Sequence, residues 1–298
     1  MPISVTVVFA VRTRPSISGR SSVADEPPRS RAARAAAEGA LIRVVHHYGA
    51  RPEFVLLGGL VPDLLCSTSG MVHSGTTDVD VQVNLEIAAG TVNAARLERA
   101  LLNAEFEPDA KRVWRWRTGH GDGVAVIKFE LLSDLDDQPA GATVVFDGCS
   151  DLGAANLRGT GFAVRDIEVR HLRARVGGVD QVAEVNVTGL AGFLMAKCAA
   201  AYSRRKPKDW YDIAYVLLHN DAGGVEAASV MVLERFGTEL GSLRTALDDL
   251  RDNFADVTAQ GAVAYADEMA GNHPELEHRL LLADAVTAVG EFTQHLDR

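Results

Sequence analysis

Cysteine is scarce: Cys66, Cys149 and Cys198 are the only three in 298 residues. They are far apart, make no CxxC pair and sit in no Cys/His spacing for zinc. That excludes a disulfide scaffold and points to a reducing, cytoplasmic compartment. Long apolar runs are missing as well. No stretch reaches the roughly 18 residues of a membrane span. The apolar residues 5–11 lack a preceding basic stretch and are followed by Arg12 and Arg14, so a secretory leader is not expected. Positive charge is in deficit, with 30 Lys and Arg against 40 Asp and Glu and a net charge of -10. A deficit of this kind argues at first against a nucleic-acid partner.

The deficit is local, however. Residues 1–220 carry 25 bases and 25 acids, whereas the remaining 78 hold 5 and 15. The acidic excess therefore belongs to the C-terminal quarter alone. With 47% hydrophobic and 23% charged residues, the composition is that of a folded globular protein, which excludes wholesale disorder.

Residues 12–30 are rich in Arg, Ser and Pro without an apolar period, and residues 1–30 read as a flexible tail. A helix is predicted over 31–47. A short buried strand at 54–57 ends in Gly58-Gly59, and 60–65 reads as a helix with Pro62 in its first turn. An alternating strand is predicted over 78–85 and a helix over 92–104. Residues 112–117 and 124–132 read as a hairpin turning at 119–123, with further strands at 143–146 and 167–172. Beyond Thr188 the pattern is helical. The chain therefore reads as α+β: a mixed sheet with flanking helices over 31–187, then an all-helical domain over 188–298.

Asp78 and Asp80 are two apart on a predicted strand, so both carboxylates leave the same face while Val79, Val81 and Val83 take the other. Two adjacent carboxylates repel, and a divalent cation is the usual remedy. Glu130, on a later alternating strand with Lys128 on its polar face, offers a third. Three such carboxylates on neighbouring strands can hold two Mg²⁺ ions for phosphoryl or nucleotidyl transfer. Upstream, Gly58-Gly59 lets the backbone approach a phosphate closely, and the helix that follows supplies free N–H groups.

In combination, Gly58-Gly59 followed by Thr76-Thr77-Asp78-Val79-Asp80 resembles the signature of the nucleotidyltransferase (polymerase-beta-like) superfamily. Within it, Lys197 and the run Arg204-Arg205-Lys206-Pro207-Lys208-Asp209-Trp210-Tyr211-Asp212-Ile213 are similar to the K…R-x-K-x-KD-x-x-D pattern of AbiEii/MenT-type toxins from bacterial toxin–antitoxin systems. The resemblance covers about residues 50–220. Leu60 departs from it, because the family often has a small or hydroxyl residue there. Phosphate binding would then rest on backbone N–H groups, helped by Ser74, Thr76 or Thr77.

The resemblance implies a Mg²⁺-dependent (or Mn²⁺-dependent) enzyme in which Asp78, Asp80 and Glu130 bind metal. Gly58, Gly59, Thr76, Thr77 and Lys197 would hold the NTP. It further implies an RNA acceptor, the 3′ end of tRNA, whose modification stops translation, and a cognate antitoxin protein. Two other readings stand beside it: a nucleotidyltransferase acting on a protein hydroxyl or a small molecule such as an aminoglycoside, and a non-catalytic nucleotide- or RNA-binding module.

Lys197 also stands out on its own. It is the only charged residue between Gly189 and Tyr202, on a stretch suited to a buried helix, so it must either snorkel to the surface or meet an anion. Asp209 and Asp212 share a helix face. Asp209 also fits as a charge offsetting the helix dipole behind Pro207, while the resemblance gives either aspartate the role of orienting Lys197 or the acceptor. Basic residues gather in three runs, 111–128, 158–175 and 197–208, each with five Lys or Arg, and favour an RNA acceptor. Trp114 and Trp116 alternate with Arg115 and Arg117 and are expected to face the core. His46, His47, His73 and His120 show no ligand spacing and read as ordinary residues.

Overall fold

The computed structural model describes residues 30–83, 91–119 and 126–297. The expected tail therefore lies outside the described residues apart from Ser30, as do positions 84 and 85 of the second strand and positions 120–123 of the hairpin turn.

Helix α1 (Arg31–Tyr48) starts where the Ser30 side chain accepts a bond from the Ala33 amide, and it stops at Gly49, whose φ of 75° lets its N–H turn back to the last carbonyls. Strand β1 (Val55–Leu57) runs into a 3-10 turn, Gly58–Leu60, and a single-turn helix, α2 (Pro62–Leu65). There follow β2 (Asp78–Gln82), α3 (Thr91–Asn103), β3 (Glu107–Asp109), β4 (Arg112–Thr118), β5 (Ile127–Ser133), β6 (Thr143–Val145), β7 (Gly153–Asn156), β8 (Ile167–Val176) and β9 (Val179–Thr188). Helices α4 (Leu190–Arg204), α5 (Pro207–His219), α6 (Val225–Phe236), α7 (Arg244–Asp252), α8 (Gln260–Asn272) and α9 (His278–Leu296) complete the described chain. The architecture is a mixed α+β fold with an open mixed sheet.

The strands lie in the order β3-β4-β5-β2-β1-β9-β8, with β7 beside β5 and β6 beside β7. β2 is central, antiparallel to β1 and parallel to β5. Its alternation works as the sequence predicts: Val79 and Val81 are fully buried, while Asp78 and Asp80 are half-buried on the opposite face. Phe129 on β5 sits beneath them, edge-on to Phe54 and Phe106. The hairpin β8–β9 extends the strand region well past residue 172, turning at Gly177-Gly178, both with positive φ. The period of two in 179–188 was the available signal for it. β7 (Gly-Ala-Ala-Asn) is wholly buried but lacks β-branched residues, so local propensity does not announce it.

Helix α5 is enclosed along most of its length, with every residue from Asp209 to Leu217 buried. It packs against α4, α8 and α9, and the buried apolar side chains form one connected cluster running from the strands into these helices. Tyr211 stacks on Tyr265 of α8. At the end of α5, the His219 ring meets the Tyr265 hydroxyl at 3.1 Å.

Burial, with His273 adding to it, lowers the His219 pKa from 6.5 to about 4. Because the folded pKa lies below the unfolded one, the unfolded chain binds the extra proton. Stability is then complete above about pH 6.5 and is lost as pH falls toward about 4. Thermal melts from pH 7.5 to pH 4.5 should show a fall in Tm that is smaller in His219→Gln than in the wild type. Equal slopes would dissociate the helical packing from this histidine.

Candidate active site

The parallel pairing of β2 with β5 sets Asp78 against Lys128 and Asp80 against Glu130. Antiparallel β4 then sets Arg115 against Glu130 and Arg117 against Lys128. Strand alternation thus puts Asp78, Asp80, Lys128, Glu130, Arg115 and Arg117 on one face, over a core of Val79, Phe129 and Trp116. The three carboxylates predicted from sequence therefore come together.

Asp78 and Glu130 carry counter-charges. Lys128 Nζ lies 3.2 Å from Asp78 Oδ1, and Lys208 Nζ is 3.8 Å from Asp78 Oδ2. Arg115 donates to Glu130 Oε1 through Nε at 2.6 Å and its terminal nitrogen at 2.5 Å. Asp80 lies between them. Burial, reinforced by the negative charges of Glu130 and Asp78 and only partly offset by Lys208 and Arg204, pushes its pKa up to about 7.

The Gly58 turn meets this carboxylate directly. Gly58 has a φ of 77°, and a Cβ there would collide with the Asp80 side chain. A Cβ at Gly59 would come within 3.0 Å of Thr76. Thr76 Oγ1 accepts a bond from the Asp78 amide at 3.0 Å, and the Thr77 carbonyl accepts one from the Lys128 amide at 3.1 Å. Gly58 thus packs against Asp80 and Gly59 against Thr76, while Thr77 is buried and lends its carbonyl to the pairing with β5. Ser74 is engaged elsewhere: its amide donates to the Tyr211 hydroxyl, and its Oγ accepts from Asn272.

Lys197 meets anions of its own chain. Its Nζ lies 2.6 Å from Asp212 Oδ2 and 3.1 Å from Asp209 Oδ1, with both carboxylates buried. Burial works against the ammonium charge, but Asp212 and Asp209 outweigh it and hold the Lys197 pKa above its ordinary value. The sequence left a choice between the two aspartates, and both take part. Asp209 Oδ1 also accepts from Arg204 at 2.7 Å. Asp212 Oδ1 is 2.9 Å from His73 Nε2, and the His73 ring is packed against Tyr211 and Tyr215.

His73 is the residue that sequence reasoning misses, because its partner lies 139 positions away on another element. Tyr215 of α5 holds the Met71 carbonyl and His273, just past the end of α8, holds the Val72 amide, so the two clamp the segment leading into β2. Lys128 was readable: it precedes Glu130 by two, as Asp78 precedes Asp80.

Of the three basic runs, the first and third converge on the carboxylates through Arg115, Lys128, Arg204 and Lys208. In the second, four of the five are held by nearby acids or carbonyls, and Arg173 is exposed. Arg158 holds carbonyls of 135, 136 and 138, Arg165 pairs with Glu239, and Arg170 pairs with Glu168. Trp116 is fully buried, whereas Trp114 is half-buried with the Arg115 guanidinium 4.9 Å above its ring. Burial raises the pKa of all three cysteine thiols, which removes them as nucleophiles at neutral pH.

Among the described residues, no group of three or more His, Cys, Asp or Glu is drawn into a metal cage. The donor chemistry nevertheless fits a hard divalent cation, because Asp78, Asp80 and Glu130 supply only carboxylate oxygens on adjacent strands. Burial first, and then the charges of Glu130 and Asp78, raise the Asp80 pKa, and a cation would relieve the second of these.

Two substitutions probe this geometry. Above pH 7 the ionised Asp80 is a destabilising group, since its folded pKa exceeds the unfolded value of 3.8. Without added divalent cation at pH 8, Asp80→Asn should stabilise the fold by about 1–3 kcal/mol, read as a higher Tm. A lower Tm would show that the charge is already well balanced. Gly58→Ala should cost about 2 kcal/mol or more, measured by urea unfolding, whereas a neutral result would remove the close approach to Asp80. No protein-family model and no curated protein matches the chain, so the reading of this site rests on its own geometry.

Proposed function

We propose that this chain is a Mg²⁺-dependent nucleotidyltransferase with a polymerase-beta-like catalytic sheet. It would act as the toxin of a bacterial toxin–antitoxin pair, adding NMP from an NTP to the 3′ end of an RNA, with tRNA as the acceptor. One observation carries the reading: Asp78, Asp80 and Glu130 stand together on β2 and β5, against the backbone of the Gly58 turn.

Asp78, Asp80 and Glu130 would hold the metal, and Mg²⁺ when bound supplies acidity to the attacking hydroxyl and charge relief at the α-phosphate. Glu130 would also help take the hydroxyl proton. The acceptor oxygen bonds to the α-phosphorus as the bond to the departing pyrophosphate breaks, in line. Gly58 and Gly59 let the backbone come close to the triphosphate, with Thr76 and Thr77 beside them.

Lys197 takes a different part from the direct phosphate contact expected of it. Its ammonium is spent on Asp209 and Asp212, so it fixes α4 to α5 and, through Asp209, orients Arg204. The acceptor reading is supported by Arg115, Arg117 and Lys128 on the carboxylate face, while the acidic excess lies in the last 78 residues.

Incubation with each of the four labelled NTPs plus total RNA, and separately plus protein or an aminoglycoside, tests both donor and acceptor. Label is expected in tRNA, with a rate that falls about 10²-fold or more in Asp80→Ala and an RNA affinity that weakens with salt. Label in protein or aminoglycoside would move the acceptor while keeping the chemistry. No transfer to any acceptor, with nucleotide binding intact, would favour a binding module.

A further inference from the structure

The two ends of the strand order are finished differently. At one end β3 is three residues long, contains Pro108 and shifts register between Pro108 and Asp109. A short strand with a proline and a bulge is a poor template for further pairing. At the other end β8 runs for ten residues, without proline or glycine, in unbroken register with β9 from Ile167 to Val176. It is a long, regular edge, and among the described residues no strand pairs with its outer side.

One side-chain contact shows which main-chain groups that edge offers. His46 on α1 donates through Nε2 to the Val182 carbonyl at 3.0 Å, so this carbonyl points away from β8. In an antiparallel ladder, directly opposed residues either both face one another or both face away. Arg173 is opposite Val182, so its N–H and C=O face outward, and the alternation repeats at Ile167, Val169, His171 and Arg175. All five of these side chains are exposed on one face of the strand. Helix α1 backs the other face, where Leu172 is buried.

The side chains decide what can pair there. Ile167 and Val169 are 41% and 43% exposed, and Val182 on β9 is 47% exposed. Most of the charges on the hairpin answer one another. Arg170 holds Glu168, Arg175 stands opposite Asp180, and His171 stands opposite Glu184, which Arg51 approaches at 3.8 Å. Arg173 is different: it stands opposite Val182 and has no ion pair among the described residues. The edge therefore presents an apolar half and one unanswered cation. A second copy of β8 is a poor complement, since the strand carries Arg170, Arg173 and Arg175 against Glu168 alone.

We propose that the outer edge of β8 is a docking site for an extended segment of a partner protein. The segment adds as an antiparallel strand, with a carboxylate beside Arg173 and apolar side chains beside Val169 and Ile167. Main-chain hydrogen bonds supply the affinity, and the side chains fix the register. The site lies at the end of the sheet and is separate from nucleotidyl transfer, so either reading can fail without the other.

The test is calorimetric titration of the full chain with a nine-residue probe, Thr-Thr-Glu-Thr-Thr-Thr-Val-Thr-Val, acetylated and amidated. In antiparallel pairing its glutamate falls beside Arg173 and its valines beside Val169 and Ile167. Lysine in place of the probe's glutamate should weaken binding about threefold to tenfold, and Arg173→Glu should invert that preference. N-methylation of the probe's fifth residue, whose amide faces β8, should weaken binding about tenfold or more. The same change at the sixth residue, whose amide faces away, should have little effect. Thermal melts establish that Arg173→Glu is folded, and the exposure of this position leaves no buried charge behind.

Folded wild-type protein that does not bind the probe would overturn the proposal. Binding that ignores both the Arg173 reversal and the position of the N-methyl group would do the same. Sedimentation that reveals a dimer dissolved by Val169→Lys would also overturn it, by giving the edge to a second copy of the chain.

Discussion

Lys197, Asp209 and Asp212 are buried together, and none of them could be buried alone. Removing an ammonium or a carboxylate from water costs several kcal/mol unless an opposite charge stands within hydrogen-bond distance. Here α5 is enclosed from Asp209 to Leu217, so its two carboxylates have nowhere to go but inward. Lys197 of the neighbouring helix meets both of them, and Arg204 at its end meets Asp209. That contact sets the register of α4 against α5. It also recruits His73 from the segment before β2, through the second oxygen of Asp212. The strand that carries Asp78 and Asp80 is therefore held in place by charges on helices that follow more than a hundred residues later.

A different balance governs the sheet face. Three carboxylates in register repel one another, and the chain answers with lysines and an arginine rather than with apolar packing. Structural ion pairs of this kind occur on many sheets. Two features here go further: the middle carboxylate has its pKa pushed up to about 7 by burial and by its neighbours, and a glycine with positive φ brings bare backbone up against it. A face built for stability alone would leave no such charge crowding at its centre. Strongly perturbed ionisation is more frequent at functional sites than elsewhere on a fold.

Much of this was legible in the residues. The two-residue spacing of Asp78 and Asp80, and of Lys128 and Glu130, assigns all four to one face once each segment is a strand. The apolar context of Lys197 demanded an anion or an escape to solvent. Gly58-Gly59 after a buried strand marked the turn. Other parts were not legible. β7 has no propensity signature because burial alone makes it a strand. His73 looked ordinary because a lone histidine acquires its meaning from its partner. The three basic runs looked equivalent in sequence, yet most of the middle one is engaged by Glu239, Glu168 and nearby carbonyls, away from the carboxylate face.

What the sequence determined by itself is local: which segments alternate, which residues share a face, where the backbone turns, and which charges lie in apolar surroundings. Periodicity and backbone sterics act over a few residues and need no knowledge of the rest of the chain. What only the tertiary structure decided is pairing. It placed Glu130 beside Asp80 and not two residues along, took Lys197 for Asp209 and Asp212, and turned Lys128 and Lys208 together onto Asp78. Pairing is decided at long range because a charge is satisfied by whatever lies within a few ångströms of it, and strand register and helix packing alone settle which residue that is.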